Sequence, residues 1–417
     1  MYVSPYGIST SSGTSLSAPT SLLGAAALAE KGSVVCILAG NYLLTRVFQP
    51  EHSGTRDAWI TFKSFGDGDV NIAWDAQTNA DDTNMFHFYG SKFPHGPSYI
   101  KLIGLKLDGK NKASNGFFCQ GSHHLSFIGN TVVNVGSAGI GSVLCDYLVS
   151  DSNVIYHNGY NGGWSSGISY NSNQWYDDYP GLHNVVARNM IAGQYDSSNI
   201  HSDGNGIIMD LSNRTYDPNS ANTPPALIIN NIVYGNGGRC IHTFTVTDTW
   251  VINNTCYANG LDMSSGGFGS VGIHNSSNAY FLNNIVVTWN NMPPFIQQGT
   301  RNQHLVFRRN LIFGGANSGF TDADPSHFRT ASPRFRHPPI FKPSLEGQYA
   351  NTPNPLLLDK GLELEAGSPG VGWGIDPTLL SSESPALTSD LKKYVYSDIT
   401  GKARPYGGPF DLGAYQH

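Results

Sequence analysis

The sequence predicts an all-β solenoid, a chain of short strands wound into superposed coils. Charged residues make up only 13% of the chain while glycine numbers 48. That balance disfavours helical bundles and suits strands joined by tight turns, because Gly and Asn tolerate the left-handed conformations such turns need. A turn ending in Asn and leading into an apolar run recurs at Asn130, Asn153, Asn189, Asn231, Asn254, Asn284 and Asn310. The intervals are 23, 36, 42, 23, 30 and 26 residues. A shortest period near 23 residues, lengthened elsewhere by loop insertions, is the pattern of stacked β coils. One coil cannot bury its inner face alone, so many must stack with strands ~4.8 Å apart.

The elements follow in order. Residues 1–17 are polar, and a short helix is expected over 21–30 with Gly32 as its stop signal. Short strands follow at Val34–Leu38, Gly40–Tyr42 and Trp59–Phe62. Residues 1–45 are read as an N-terminal cap whose helix covers unpaired strand edges. Residues 46–313 are read as coils, with insertions near 159–183 and 211–225. Residues 314–417 form a Pro-rich, irregular C-terminal segment of the same single domain. Long loops on a rigid coil are where sites are usually built.

Several function classes recede on composition alone. A net charge of -6 with no basic stripe speaks against a nucleic-acid partner. No apolar run reaches membrane-spanning length. Met1-Tyr2-Val3-Ser4-Pro5 does not read as a signal peptide, but as a mature start with an added Met. A secreted or cell-surface location and a monomeric state are the expectations. The five Cys form no CxxC pair, so zinc is not expected. Cys119 and Cys145, about one repeat apart, are read as buried small hydrophobes rather than as a bridge.

The chemistry-bearing residues concentrate around His201-Ser202-Asp203-Gly204-Asn205-Gly206-Ile207-Ile208-Met209-Asp210 and Gly237-Gly238-Arg239-Cys240-Ile241-His242. On a coil these stretches lie on neighbouring turns, so acid and base face one groove. Asp177 and Asp178, one coil earlier, are candidate metal ligands with Asp203, since hard oxygens suit calcium. Three activities fit. The first is β-elimination on a uronate glycan, with Arg239 as base or carboxylate partner, because residues 113–341 contain no Lys; His242 and His201 are the other bases. The second is glycoside hydrolysis by a carboxylate pair such as Asp203 and Asp210, with His201 and His242 orienting hydroxyls. The third is glycan binding alone, on a platform of Trp164, Tyr170, Trp175, Tyr176 and Tyr179, with Arg214 as a further contact or as the partner of Asp210. Each residue also has a plainer role as turn former, solvated charge or loop packing.

Three stretches carry a family likeness. Tyr2-Val3-Ser4-Pro5 with Gly13-Thr14, Ala18-Pro19 and Leu38-Ala39-Gly40-Asn41-Tyr42 resembles the start of secreted bacterial β-helix proteins. His201 to Gly206 and Asn236-Gly237-Gly238-Arg239 are similar to the site region of family 9 pectate lyases. The resemblance implies a right-handed parallel β-helix of the pectate-lyase-like superfamily acting on a polysaccharide. It also implies Ca²⁺ held by an Asp cluster and a Lys base one coil on. Asp203 matches one cluster Asp, whereas Ser202 stands where a second is expected and Gly206 replaces another; Arg239 stands near the Lys position. The lyase is the leading reading and the hydrolase the runner-up.

Overall fold

In a computed structural model of the full chain, the residues described are all except 77–81, 162, 212–221, 263, 265–268, 290, 316–323, 325 and 341–351. The chain winds through three parallel sheets, of eleven, eleven and eight strands among the described residues. We label them A, B and C in the order the chain visits them. One coil runs His123–Ile128 in sheet A, Thr131–Val133 in sheet B and Ile140–Val143 in sheet C, then re-enters sheet A at Asp146–Asp151. Every strand pair within the sheets is parallel and in register with the coil above, for example Leu125 beside Leu148 and Ile207 beside Ile241.

The A-to-B corner is built by the recurring Asn. In each successive pair from Asn130 to Asn310, the earlier residue donates its backbone N–H and its Nδ2 to the Oδ1 of the next, at 2.9–3.2 Å. The residue before each Asn turns the corner with a φ between 53° and 62°. The amide column thus satisfies backbone groups that a bend would otherwise orphan in the interior. A shorter column, absent from the sequence reading, runs through Gln194, Asn236 and Asn259 at the B-to-C corner.

Inward-facing positions stack into a dry core, as with Phe117, Ile140, Ile168, Ile207 and Ile241 in sheet C. Near the start, α1 (Leu22–Leu28) is capped by the Ser21 hydroxyl, inside the span expected. The strands Val34–Ile37 and Gly40–Leu44, within the residues assigned to the cap, already belong to sheets A and B. Two disulfides correct the expectation of free thiols: Cys119–Cys145 and Cys240–Cys256. Both pairs sit in the core, where cysteines brought together by stacking can bond; Cys36 is free. No helix among the described residues is long and apolar enough to cross a membrane.

The C-terminal segment decides which faces stay open. It contains α2 (Pro385–Val395), whose Leu391 and Val395 pack on Val185, Leu227 and Trp250 of sheet A. Leu358, Leu362, Leu364 and Leu412 cover Ile232, Tyr234 and Ile285 of sheet B. A cleft remains on the outer face of sheet C.

Candidate functional site

Outward positions of sheet C form two columns. Phe118, Gly141, Ser169, Ile208, His242 and Gly272 occupy one; Gln120, Val143, Asn171, Asp210, Phe244, His274 and Gln298 occupy the other. A cleft of about 760 Å³ lies over them and is lined by Asp203, Asp210, His242, Trp164, Phe118 and Phe244, among others. The strand Asn205–Asp210 supplies both acids, Asp203 just before its start and Asp210 at its end.

Asp203 is held from several sides. Its backbone N–H donates to the buried carboxylate of Asp196 at 3.0 Å, and the same carboxylate accepts from the N–H groups of Trp164 and Ser198. Its own carboxylate accepts from Asn205 Nδ2 at 3.0 Å and from the Ser202 hydroxyl at 3.3 Å. Burial, then the charges of Asp210 and Asp196, push its pKa up to about 7, although Arg239 opposes them. Asp210 accepts from Asn171 Nδ2 at 2.8 Å, yet burial raises it to about 6. Near neutral pH these are two carboxyls poised on either side of ionisation.

Arg239 lies on the neighbouring coil. Its N–H donates to Asn205 Oδ1 at 2.9 Å, tying it to the residue that binds Asp203. Its side chain crosses Gly272, where a Cβ would stand 2.4 Å from Arg239 Cδ, and reaches Gln298 Oε1 at 2.7 Å. Glycine at 272 is the gap that lets the guanidinium lie flat on the sheet. Arg239 is only 3% exposed, and burial lowers its pKa to about 10 against the pull of Asp203. His242, also buried, is kept neutral by burial, Arg239 and His274. Neither of its ring nitrogens has a hydrogen-bond partner among the described residues.

The structure separates other residues that sequence reasoning grouped. Tyr170 points into the core, where its hydroxyl meets Ser150 at 2.7 Å, so it is not a substrate contact. It shares the inward parity of Ile168 and Met209. The loop 172–183 leaves sheet C at the exit end of its strand and climbs to sheet A, away from Asp203. It therefore carries Trp175, Tyr176, Asp177 and Asp178 to a different face. Trp175 donates its indole N–H to Asn222 O, Tyr176 stacks on His123 at 3.8 Å, and Asp177 accepts from Tyr147 at 2.6 Å. Of the aromatic platform only Trp164, 64% exposed, stands at the cleft. His201 is engaged by Asp262 at 2.8 Å, sixty-one residues on. Arg214 lies outside the described residues.

The calcium ligand set does not fit. Asp177 and Asp178 are not brought to Asp203, because their loop runs over sheet A. Among the described residues no three His, Cys, Asp or Glu side chains converge as a metal site. Sequence reasoning missed Asn171, Asn205 and Gln298 as neighbours of the acids and Arg239. Asn171 was recoverable: setting Ile168 and Tyr170 beside Ile207 and Met209 places it next to Asp210.

Among solved structures, the chain is similar to pectate lyase Pel9A, with 16% sequence identity, a TM-score of 0.52, and coverage of 100% of this chain and 96% of that one. The fold is the right-handed parallel β-helix. Two further β-helix structures are more distant. An alginate lyase from Paenibacillus sp. str. FPU-7 has 15% identity, a TM-score of 0.47, and coverage of 74% of this chain and 95% of that one. The A-module of the Azotobacter vinelandii mannuronan C-5 epimerase AlgE6 has 16% identity, a TM-score of 0.45, and coverage of 69% and 79%. No protein-family model matches this β-helix, and no curated protein sequence does.

Proposed function

We propose that the chain is a polysaccharide lyase that takes an acidic, uronate-containing glycan into the sheet C cleft. One observation carries the reading. Asp203 lines the cleft and Arg239 is buried on the neighbouring coil, each shifting the other's ionisation, with Asp210 in the same cleft. A neutral sugar makes no use of the positive charge of Arg239, buried beside the cleft, whereas a uronate carboxylate is drawn by it.

The pKa order suggests the roles. Asp210, at about 6, is the group able to accept the C5 proton, and Asp203, at about 7, the one able to donate. The C5–H bond breaks as the proton passes to Asp210, the C4–O4 bond breaks as O4 takes a proton from Asp203, and a C4–C5 double bond forms. No water is consumed. Arg239, too buried to be the base, supplies positive potential for the carboxylate.

A second reading is glycoside hydrolysis, favoured by the two raised carboxyls facing one cleft. A product assay over polygalacturonate, alginate, glycosaminoglycan and neutral glycans separates them. The lyase yields an unsaturated product absorbing in the near ultraviolet, with chelator present or absent, and Asp203→Ala and Arg239→Ala abolish it. Reducing ends without that absorbance point to the hydrolase. Equal activity in the wild type and both variants would remove these residues from the mechanism.

A further inference from the structure

The outer face of sheet A carries a column of rings that the cleft does not use. Trp59, Tyr99, His124, Tyr147 and His183 stand at the same register on successive coils, each one residue before a paired strand position. Consecutive ring centroids are 5.5, 4.4, 4.2 and 4.1 Å apart. Four coil steps make the column about 19 Å long, running along the axis of the β-helix. Tyr99, His124 and Tyr147 hold φ values of 57°, 53° and 50°, a conformation that side chains of this size rarely adopt. Their faces are taken up by one another, so phenol and imidazole edges are what the column offers outward.

These edges floor two adjoining cavities of about 620 and 270 Å³, which share His124, Tyr147, Leu182, Asp390 and Lys393. The loop 172–183 forms one wall and α2 the other. Tyr176 and Tyr179 on that loop are each 38% exposed, leaving ring surface on which a sugar can stack.

Charge decides what fits. Of the two acids of the groove, Asp390 is paired with a cation, while Asp177 keeps its charge and is set against both Arg56 and Lys101. Asp177 accepts from Tyr147 at 2.6 Å and from the Tyr179 N–H at 3.2 Å, while Asp390 accepts from the Leu182 N–H at 2.9 Å and from Lys393 at 2.6 Å. His123 and His124 are held neutral by burial, at about 4. Arg56, which lines the larger cavity, and Lys101, which lines the smaller and sits 4.7 Å over Trp59, form no ion pair among the described residues. The charge left for a ligand is positive, and the surface around it is rich in hydroxyls and rings.

We infer that this groove is a second, non-catalytic binding site for an anionic polysaccharide, holding a chain along sheet A while the sheet C cleft works on it. The inference shares with the proposed function only the premise that the ligand is an acidic glycan.

Affinity electrophoresis of the full chain tests it, on an Asp203→Asn background so that the gel polymer stays intact. Short oligosaccharide is added to occupy the cleft. Polygalacturonate or alginate in the gel should retard the protein, and Arg56→Ala with Lys101→Ala should weaken that retardation about tenfold. Tyr176→Ala should weaken it without any change of charge. With Asp203 intact, the Arg56→Ala, Lys101→Ala pair should cleave short oligosaccharides at the wild-type rate. Undiminished retardation in the charge variant, or equal retardation by DNA, overturns the inference. A wild-type chain that cleaves no glycan would sink the proposed function yet leave the gel result readable.

Discussion

Gly238 lies against Asp203: a Cβ added at 238 would stand 2.2 Å from the Asp203 carbonyl oxygen, and the Gly238 N–H donates to Gly204 O at 2.9 Å. The turn that delivers Arg239 is pressed onto the turn that delivers the cleft's central acid. No side chain can be interposed without moving one of them.

Gly238→Ala should therefore act on the site rather than only on the fold. Overpacking of this kind costs about 1–3 kcal/mol, and here the displaced atoms are backbone. We expect a fall in turnover of at least about tenfold with a small loss of thermal stability. Wild-type turnover in a folded Gly238→Ala protein would contradict the tight coupling of these turns.

The two cleft carboxyls set a pH dependence of opposite sign to that of ordinary paired acids. Both have folded pKa values, about 7 and about 6, raised above the unfolded value. The folded state then binds more protons than the unfolded one between about pH 4 and 7, so stability falls as pH rises through that window. Asp203→Asn and Asp210→Asn should flatten the decline and raise the unfolding free energy at pH 8, by on the order of 1–3 kcal/mol each, while abolishing activity. Wild-type activity should be bell-shaped with limbs near 6 and 7. A melting curve insensitive to pH from 4 to 7 would show that the acids are not buried as described.

His183 titrates the other way. It donates Nδ1–H to Asp146 at 2.8 Å and Nε2–H to Tyr179 O at 2.8 Å, and these partners raise its pKa against the cost of burial. Burial also raises Asp146, but two accepting partners around His183 fix the imidazolium as the form present. Its stabilisation is complete below the unfolded pKa of about 6.5 and is lost as pH rises through the higher folded value. The loop 172–183 should loosen on the alkaline side. Because Trp175 lies 4.9 Å from His183, a fluorescence change absent in Trp175→Phe should report it. Amide protection in that loop, taken relative to the intrinsic exchange rate at each pH, that is the same at pH 6 and pH 9 would refute it.

Asn231 sits mid-column, donating to Asn254 and to Val186 O while accepting from Asn189. Asn231→Ala strands the buried Asn189 N–H and Val186 carbonyl on the preceding coil and takes one of two donors from Asn254 Oδ1 on the next, at a cost of about 2–4 kcal/mol. Chemical denaturation should show it. Asn41→Ala, on the exposed face of its strand, should cost far less.

The winding was readable because it repeats: the Asn of each A-to-B corner recurs with a recognisable follower, and stacking needs nothing else. The site was half readable. Asp203, Asp210, Arg239 and His242 come together through register alone, since Ile207 pairs with Ile241. Tyr170, Trp175, Tyr176, Asp177 and Asp178 do not reach the cleft, for two separate reasons. Tyr170 obeys strand alternation, which the nearby aromatic residues obscured. The others ride a loop whose direction depends on Asp146, His183 and Asp390, partners distant in sequence that no local pattern announces.

The C-terminal segment fastens backwards. Arg404 reaches Asn230, Asp390 accepts from Leu182, and Thr352 meets both His157 and Gly235, all far upstream. During synthesis Leu227 and Trp250 of the middle coils stay bare until α2, well over a hundred residues on, has been made. Clipping that segment off should yield a sticky, chaperone-dependent remnant rather than a shorter working protein.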